Sequence, residues 1–308
     1  MKPTSIIFLI VSILLGLGGI VTMRVAESMA AKEGIEIISE TAIDSDDYIF
    51  TYEYGSDNIG KISLNIKDAK VNIIGGAAKP YIELINFAEG MYEFSSSNRI
   101  ITVSNNSDLS SLSAIASMTM NFKGLRGLVN YYNISGREKT INVYLCSEYP
   151  VKIIDCKLET GEISVGSSKT LTDYNLELTN GYIDVEDITT SSSMNIVLED
   201  GSLTIKNCVV GDFTADIEKG DVSVITSDLM KIDAEIENGD FHYGYRYRIE
   251  YINLDLYTNL GSITIDGESR GGFYEYDQLP TNARYDITIG KGDIVINSNM
   301  IEESTYEG

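Results

Sequence analysis

From residue 48 onward the chain alternates apolar and polar residues in short runs. Ile62-Ser63-Leu64-Asn65-Ile66, Val71-Asn72-Ile73, Ile82-Glu83-Leu84, Ile101-Thr102-Val103, Ile141-Asn142-Val143 and Val151-Lys152-Ile153 all follow a period of two, the pattern of strands with one buried face. In the second half the pattern settles into a cassette: two alternating apolar residues, a polar corner closing on glycine, and two more alternating apolar residues. It reads Cys156-Lys157-Leu158-Glu159-Thr160-Gly161-Glu162-Ile163-Ser164-Val165, and it returns around Gly181, Gly201, Gly220, Gly239, Gly261 and Gly292. The steps between these glycines are 20, 20, 19, 19, 22 and 31 residues. Such a period predicts stacked repeats rather than one closed core.

Counted from each glycine, positions −5, −3, +2 and +4 are apolar in every copy but that of Gly261, from Cys156, Leu158, Ile163 and Val165 to Ile287, Ile289, Ile294 and Ile296. In the Gly261 copy the corner is two residues longer, and Leu254 and Leu256 fill the first two slots. Four inward columns are therefore expected, with the intervening residues pointing out. Four aliphatic side chains are too few to order twenty residues, so a single coil cannot fold alone and the copies must stack. The expected fold is all-β, a parallel β-solenoid of about ten coils and roughly 45 to 50 Å long at one strand spacing per coil. The polar-Gly corners also suit antiparallel hairpins, which leaves a sandwich or propeller as the rival; the near-constant period favours the solenoid.

Residues 3–23 carry no charge and are rich in Ile, Leu and Val, long enough for one membrane-spanning helix. Lys2 precedes this run and an acidic chain follows Arg24, which places the N-terminus in the cytoplasm and the repeats outside. Ser28-Met29-Ala30 also fits a signal-cleavage site; an uncleaved anchor is the preferred reading. The expected organisation is an anchor over residues 1–24, a linker over 25–47, the solenoid over 48–297 and an acidic tail over 298–308. The location that follows is a bacterial cell membrane, single-pass, with an extracytoplasmic repeat domain. Two stretches interrupt the strand pattern, residues 105–138 and 266–284, and both read as excursions from the stack.

The lead-in Ile141-Asn142-Val143-Tyr144-Leu145-Cys146-Ser147-Glu148-Tyr149-Pro150, the run from Ile62 to Ile73 and the recurring Leu-x-Leu-x-x-Gly-x-Ile-x-Val motif resemble the bacterial putative-adhesin domain family over about residues 48–297. That resemblance implies an exported or single-span protein with a β-solenoid body and unknown function, and some family members occur in Gram-positive envelope-stress operons. It implies no catalytic residues. Leu145-Cys146 stands where the family usually has a Leu-Pro pair.

The formal charge is −23, and all 46 acidic residues lie after residue 24. Nucleic acid and anionic lipid headgroups are bound chiefly through Lys and Arg, so neither is an expected partner; cations and basic peptides are electrostatically permitted. Three cysteines, Cys146, Cys156 and Cys208, do not make a disulfide framework. Cys156 occupies an inward slot, and a Cys146–Cys208 pairing is left open.

Two surfaces are candidates for contact. Position −2 forms an acidic ladder of Glu159, Glu199, Glu218 and Glu237, broken by Thr179, which suits a cation or a basic peptide, although a solvated face is the preferred reading. Aromatic and arginine residues gather late in Tyr245, Arg246, Tyr247, Arg248, Tyr251, Tyr274 and Tyr276, with Tyr243, Tyr257, Phe273 and Tyr285 beside them. Exposed Tyr and Arg on a rigid body suit a surface glycan or a protein partner. For catalysis there is one histidine, His242, with no nucleophile motif around it, and Asp184, Asp221 and Asp240 qualify only by facing outward. No cofactor and no metal site are expected. The leading reading is a non-catalytic binding, adhesin or scaffold module at the cell envelope. The alternatives are an envelope-stress sensor accessory that captures cationic peptides or cations, and below it a carbohydrate-active β-helix enzyme.

Overall fold

The computed structural model describes residues 49–54, 59–87, 92–105, 137–169, 172–189, 192–245, 252–277 and 283–298, all within the second of two units of the chain, Asp47–Gly308. The expected anchor and linker, the core of the first excursion at 106–136 and the acidic tail from 299 lie outside the described residues. Among the described residues there are strands and no helix, and hence none long and apolar enough to cross a membrane.

The centre of the stack is built from strands β7 (Ile153–Gly166), β8 (Asp173–Glu186), β9 (Ser193–Lys206), β10 (Val209–Lys219) with β11 (Val222–Ile225), and β12 (Asp228–Asn238) with β13 (Phe241–Gly244). Each pairs in parallel with the copy before it, one repeat apart: Leu158 faces Leu178, Leu178 faces Leu198, Leu198 faces Ile217, and Ile217 faces Ile236. Parallel pairing in this register decides against the hairpin rival, because hairpins pair antiparallel. The four apolar columns are the core: Cys156, Leu176, Ile196, Ala215 and Ala234 are at most 2% exposed, as are their partners in the other columns from Leu158 to Tyr243.

Glycine holds the corner for a steric reason. Gly181 has φ +141°, and a Cβ there would lie 1.8 Å from the Gly161 carbonyl oxygen, with the same collision repeated from Gly161 against Ala69 up to Gly239 against Gly220. The chain bends a second time at position +6, where Ser167, Asp187, Asn207 and Thr226 take φ between +48° and +56°. Short polar side chains tolerate that left-handed conformation.

The ends depart from the sequential stack that the period predicts. At one end β2 (Lys61–Ile74) pairs with β7 on one side and, on the other, with β5 (Ile100–Asn105) and β6 (Thr140–Tyr144), so the chain folds back beneath its own first coil. At the other end β14 (Asn253–Leu260) and β15 (Ile263–Ile265) do not lie on β12 and β13. The last strands, β18 (Arg284–Lys291) and β19 (Ile294–Asn297), insert between them. The glycine column therefore runs Gly239, Gly292, Gly261, each a Cβ collision of 1.9 Å with the one before.

Antiparallel strands finish both ends. At the first, β3 (Tyr81–Ile85) covers β6, β1 (Ile49–Glu53) covers β3, and β4 (Tyr92–Ser97) covers β5. Ile82 and Leu84 thus belong to an antiparallel cap and not to an early parallel coil. The cap is closed by a stacked Tyr52–Phe94 pair at 3.9 Å and a Tyr52–Tyr92 hydroxyl contact of 2.9 Å. At the far end β16 (Glu268–Gly271) lies antiparallel on β15 and β17 (Phe273–Tyr276) on β14. Layers of this kind cover the open strand edges of a parallel stack, which otherwise pair with other chains.

Candidate functional site: the acidic outer face

In-register stacking turns each outward position into a row across the sheet. On the face before the glycine corner, one row runs Ser63, Asp155, Asn175, Asn195, Thr214, Asp233, Asp286, Asp255, Glu275. Its first part is a hydrogen-bonded ladder: the Asn175 amide donates to Asp155 at 2.6 Å and the Asn195 amide to Asn175 at 2.8 Å, while Lys61 pairs with Asp155. Its last part is four carboxylates on four neighbouring strands. Burial pushes the Asp286 carboxyl above the usual range, and Asp255 and Asp233 on either side push it further, against the opposing pull of Arg284 at 3.5 Å.

The predicted ladder lies two rows closer to the corner. Glu199, Glu218 and Glu237 stand on consecutive strands, all exposed, and Glu159 is separated from them by Thr179. Between the two rows, Asp216 and Glu235 are neighbours as well. Within this face Lys157 pairs with Glu177 on the next strand, near Glu159 and Glu199, and at its margins Lys231 pairs with Asp212 at 2.9 Å and Lys219 with Asp200 at 2.6 Å. Among the described residues, Glu199, Asp216, Glu218, Asp233, Glu235, Glu237, Asp255 and Glu275 make no ion pair. At a strand spacing of about 4.8 Å, neighbouring like charges repel, and the arrangement attracts positive charge. The described residues contain no group of three or more His, Cys, Asp or Glu side chains poised to hold a metal ion.

Carboxylates on the other side of the corner are used differently. Asp221 accepts the Asp240 backbone N–H at 2.9 Å, Asp240 accepts that of Asp293 at 2.7 Å, and Asp293 accepts that of Ser262 at 2.7 Å. Two of the three outward aspartates considered for catalysis are thus structural acceptors that tie one coil to the next. Asp184 lies in the row of Ser164 and Thr204, and His242 in that of Ser223 and Val295. A shallow depression of about 240 Å³ opens at this corner between Lys70, Lys139, Glu162 and Tyr182. Partial burial pushes Glu162 up, but hydrogen bonds from Tyr182 at 2.6 Å and Ser164 at 3.0 Å, with Lys70 at 2.9 Å, hold it below the usual range. Its polar groups satisfy one another.

The late aromatic surface is not assembled as the sequence suggests. Tyr245 is buried, and its hydroxyl donates to Asp266 at 2.7 Å; Tyr243 and Tyr285 are core side chains whose hydroxyls meet at 2.9 Å. Tyr274 and Tyr276 are half-buried on the inner side of β17, opposite Leu256 and Leu254, with Arg270 over the Tyr274 ring at 5.5 Å. Arg246, Tyr247, Arg248 and Tyr251 lie outside the described residues. The exposed aromatics of this region are instead Tyr257 and Phe273, opposite each other on β14 and β17. The row ending in Asp233, Asp286, Asp255 and Glu275 escapes a reading of the cassette because it lies six residues before the glycine, outside the ten-residue motif. Extending the motif by one position exposes Asp233, Asp255 and Asp286.

A solenoid of in-register β-coils with a corner glycine column defines the class. The chain belongs to the Toastrack DUF4097 family, whose model matches residues 59–305, in agreement with the resemblance seen in the sequence. No curated protein matches the chain. Among solved structures, it is similar to a putative cell adhesion protein from Clostridium sporogenes, 15% identical over 82% of this chain and 99% of that one, with a TM-score of 0.39. A putative adhesin from Bacteroides fragilis is 11% identical over 81% and 96%, with a TM-score of 0.45. A putative lipid binding protein from Parabacteroides distasonis is 10% identical over 81% and 96%, with a TM-score of 0.33.

Proposed function

We propose that this protein is a non-catalytic binding module, held at the outer side of a bacterial membrane by residues 1–24, whose acidic sheet face takes a cationic partner such as a basic peptide. The observation that carries this reading is the division of labour among its outward carboxylates. Asp221, Asp240 and Asp293 are spent on backbone N–H groups of the neighbouring coil, whereas Glu199, Glu218 and Glu237 are exposed, in register and without an ion pair among the described residues. A rigid row of like charges at one strand spacing recognises a complementary row of positive charge without rearranging, which favours electrostatic contact over chemistry.

The test is surface plasmon resonance of the full-length protein with a lysine-rich peptide, comparing wild type with the triple variant Glu199→Gln, Glu218→Gln, Glu237→Gln. Salt-sensitive binding that the triple variant loses is the expected result. Binding that is indifferent to both salt and the three substitutions overturns the reading. Proteolysis of the repeat domain on intact cells tests its placement outside the membrane.

A further inference from the structure

The C-terminal end of the stack joins the acidic face to an exposed apolar one. Tyr257 is 43% exposed, Phe273 58% and Leu260 64%. Tyr257 and Phe273 face each other across β14 and β17, and the next outward pair along the same two strands is Asp255 and Glu275. Behind that pair the carboxylate row continues through Asp286 to Asp233. Strand β17 has β14 on one side and, among the described residues, no strand on the other. Its four residues, Phe273-Tyr274-Glu275-Tyr276, carry neither lysine nor proline, and their one charge, Glu275, opposes further pairing except with a strand that brings a positive charge beside it.

We propose that this edge receives an extended segment of a partner protein by strand addition to β17, the segment carrying an apolar residue and a basic residue two positions apart. Successive outward positions of an added strand fall beside Phe273 and Glu275, so the apolar residue covers the Tyr257–Phe273 pair. The basic residue reaches Glu275 and, if it is arginine, Asp255 in the next strand. Main-chain hydrogen bonds supply affinity and the two outward side chains supply selectivity. The inference rests on the cationic-partner reading above and adds to it the place and the form of the contact. A positive charge delivered here also offsets the repulsion from Asp255, which adds to the effect of burial on Asp286.

Fluorescence anisotropy with a labelled peptide of alternating threonine and Arg-Phe-Arg positions tests it on the full-length protein. Glu275→Lys and Phe273→Ser should each weaken binding by roughly tenfold or more, with the thermal midpoint retained because both side chains are exposed. N-methylation of alternate peptide amides, which removes the donors for strand addition and leaves the charge, should weaken it as much. Binding unchanged by N-methylation and by Glu275→Lys overturns the strand-addition proposal. If the same peptide is then lost only in the Glu199, Glu218, Glu237 triple variant, the acidic-face reading stands without it. If neither this peptide nor a lysine-rich one binds wild type, both fall.

Discussion

Gly181→Ala tests the corner directly. The new Cβ would lie 1.8 Å from the Gly161 carbonyl oxygen and 2.9 Å from its carbon, both of them backbone atoms, at a residue whose φ is +141°. Neither atom can rotate away, so the coils must separate by about an ångström or the corner must change conformation. The left-handed region costs an L-residue about 1 to 2 kcal/mol, and forcing atoms into a packed contact costs about 1 to 3 kcal/mol. A loss of about 2 to 5 kcal/mol follows, a large fraction of the roughly 5 to 15 kcal/mol typical of folded domains. Gly166→Ala is the control, since no heavy atom lies within 4 Å of its Cβ position and its φ is not positive; it should be neutral or stabilise by about 0.5 kcal/mol. Urea denaturation of the full-length protein in mild detergent, followed by far-UV circular dichroism, reads both. With a slope of about 3 kcal/mol per molar, Gly181→Ala lowers the midpoint by about 0.7 to 1.7 M. Equal midpoints for the two variants would refute the steric account of the glycine column.

The inserted C-terminal coil predicts which cysteine pairs crosslink: Glu235→Cys with Thr288→Cys should oxidise readily, because the two face each other on adjacent strands. Glu235→Cys with Tyr257→Cys should not, because β18 separates them by about two strand spacings, beyond disulfide reach; non-reducing mass spectrometry distinguishes these outcomes. Asp286→Asn should stabilise the fold by roughly 0.5 kcal/mol at pH 7, a modest figure because the site is largely solvated. The sign follows from its raised folded-state pKa: the penalty is full above that value, shrinks as pH falls through it, and is gone below the ordinary aspartate range, so thermal melts at pH 7 and pH 3 should converge. Burial pushes the Cys156 thiol up to about 12 and the Cys208 thiol up to about 11. Both should therefore resist iodoacetamide at pH 8 in the native protein and react on denaturation.

The core columns are legible in the sequence because alternation and period both report on burial, and Leu158, Leu178, Leu198, Ile217 and Ile236 occupy one column as their spacing implies. Stack order is not legible at the ends. The motif around Gly292 fits between those of Gly239 and Gly261 as well as beyond them, since the copies present nearly the same inward slots, and the period carries no record of which neighbour a coil chooses; in the Gly261 copy the corner is not lengthened as expected, for Leu256 faces Ile287 and Thr258 takes the slot of Ile289. The second corner at Ser167, Asp187, Asn207 and Thr226 is written in residues that also serve as ordinary loop residues, and so gives no distinct signal. Tyrosine misleads for a related reason. Tyr243, Tyr245 and Tyr285 have an apolar ring and a polar tip, and both a binding surface and a core with hydroxyl partners can use them; the hydrogen bonds of Tyr245 to Asp266 and of Tyr243 to Tyr285 decide for the interior. All three cysteines are free and buried, so the Cys146–Cys208 pairing is not formed.

Carbodiimide footprinting of the full-length protein, with and without a lysine-rich peptide and read by mass spectrometry, tests the division of carboxylates most directly. The peptide should protect Glu199, Glu218 and Glu237 while leaving the labelling of Asp221, Asp240 and Asp293 unchanged. Protection that falls on the aspartates beyond the glycine corner, or equally on both sets, would contradict it.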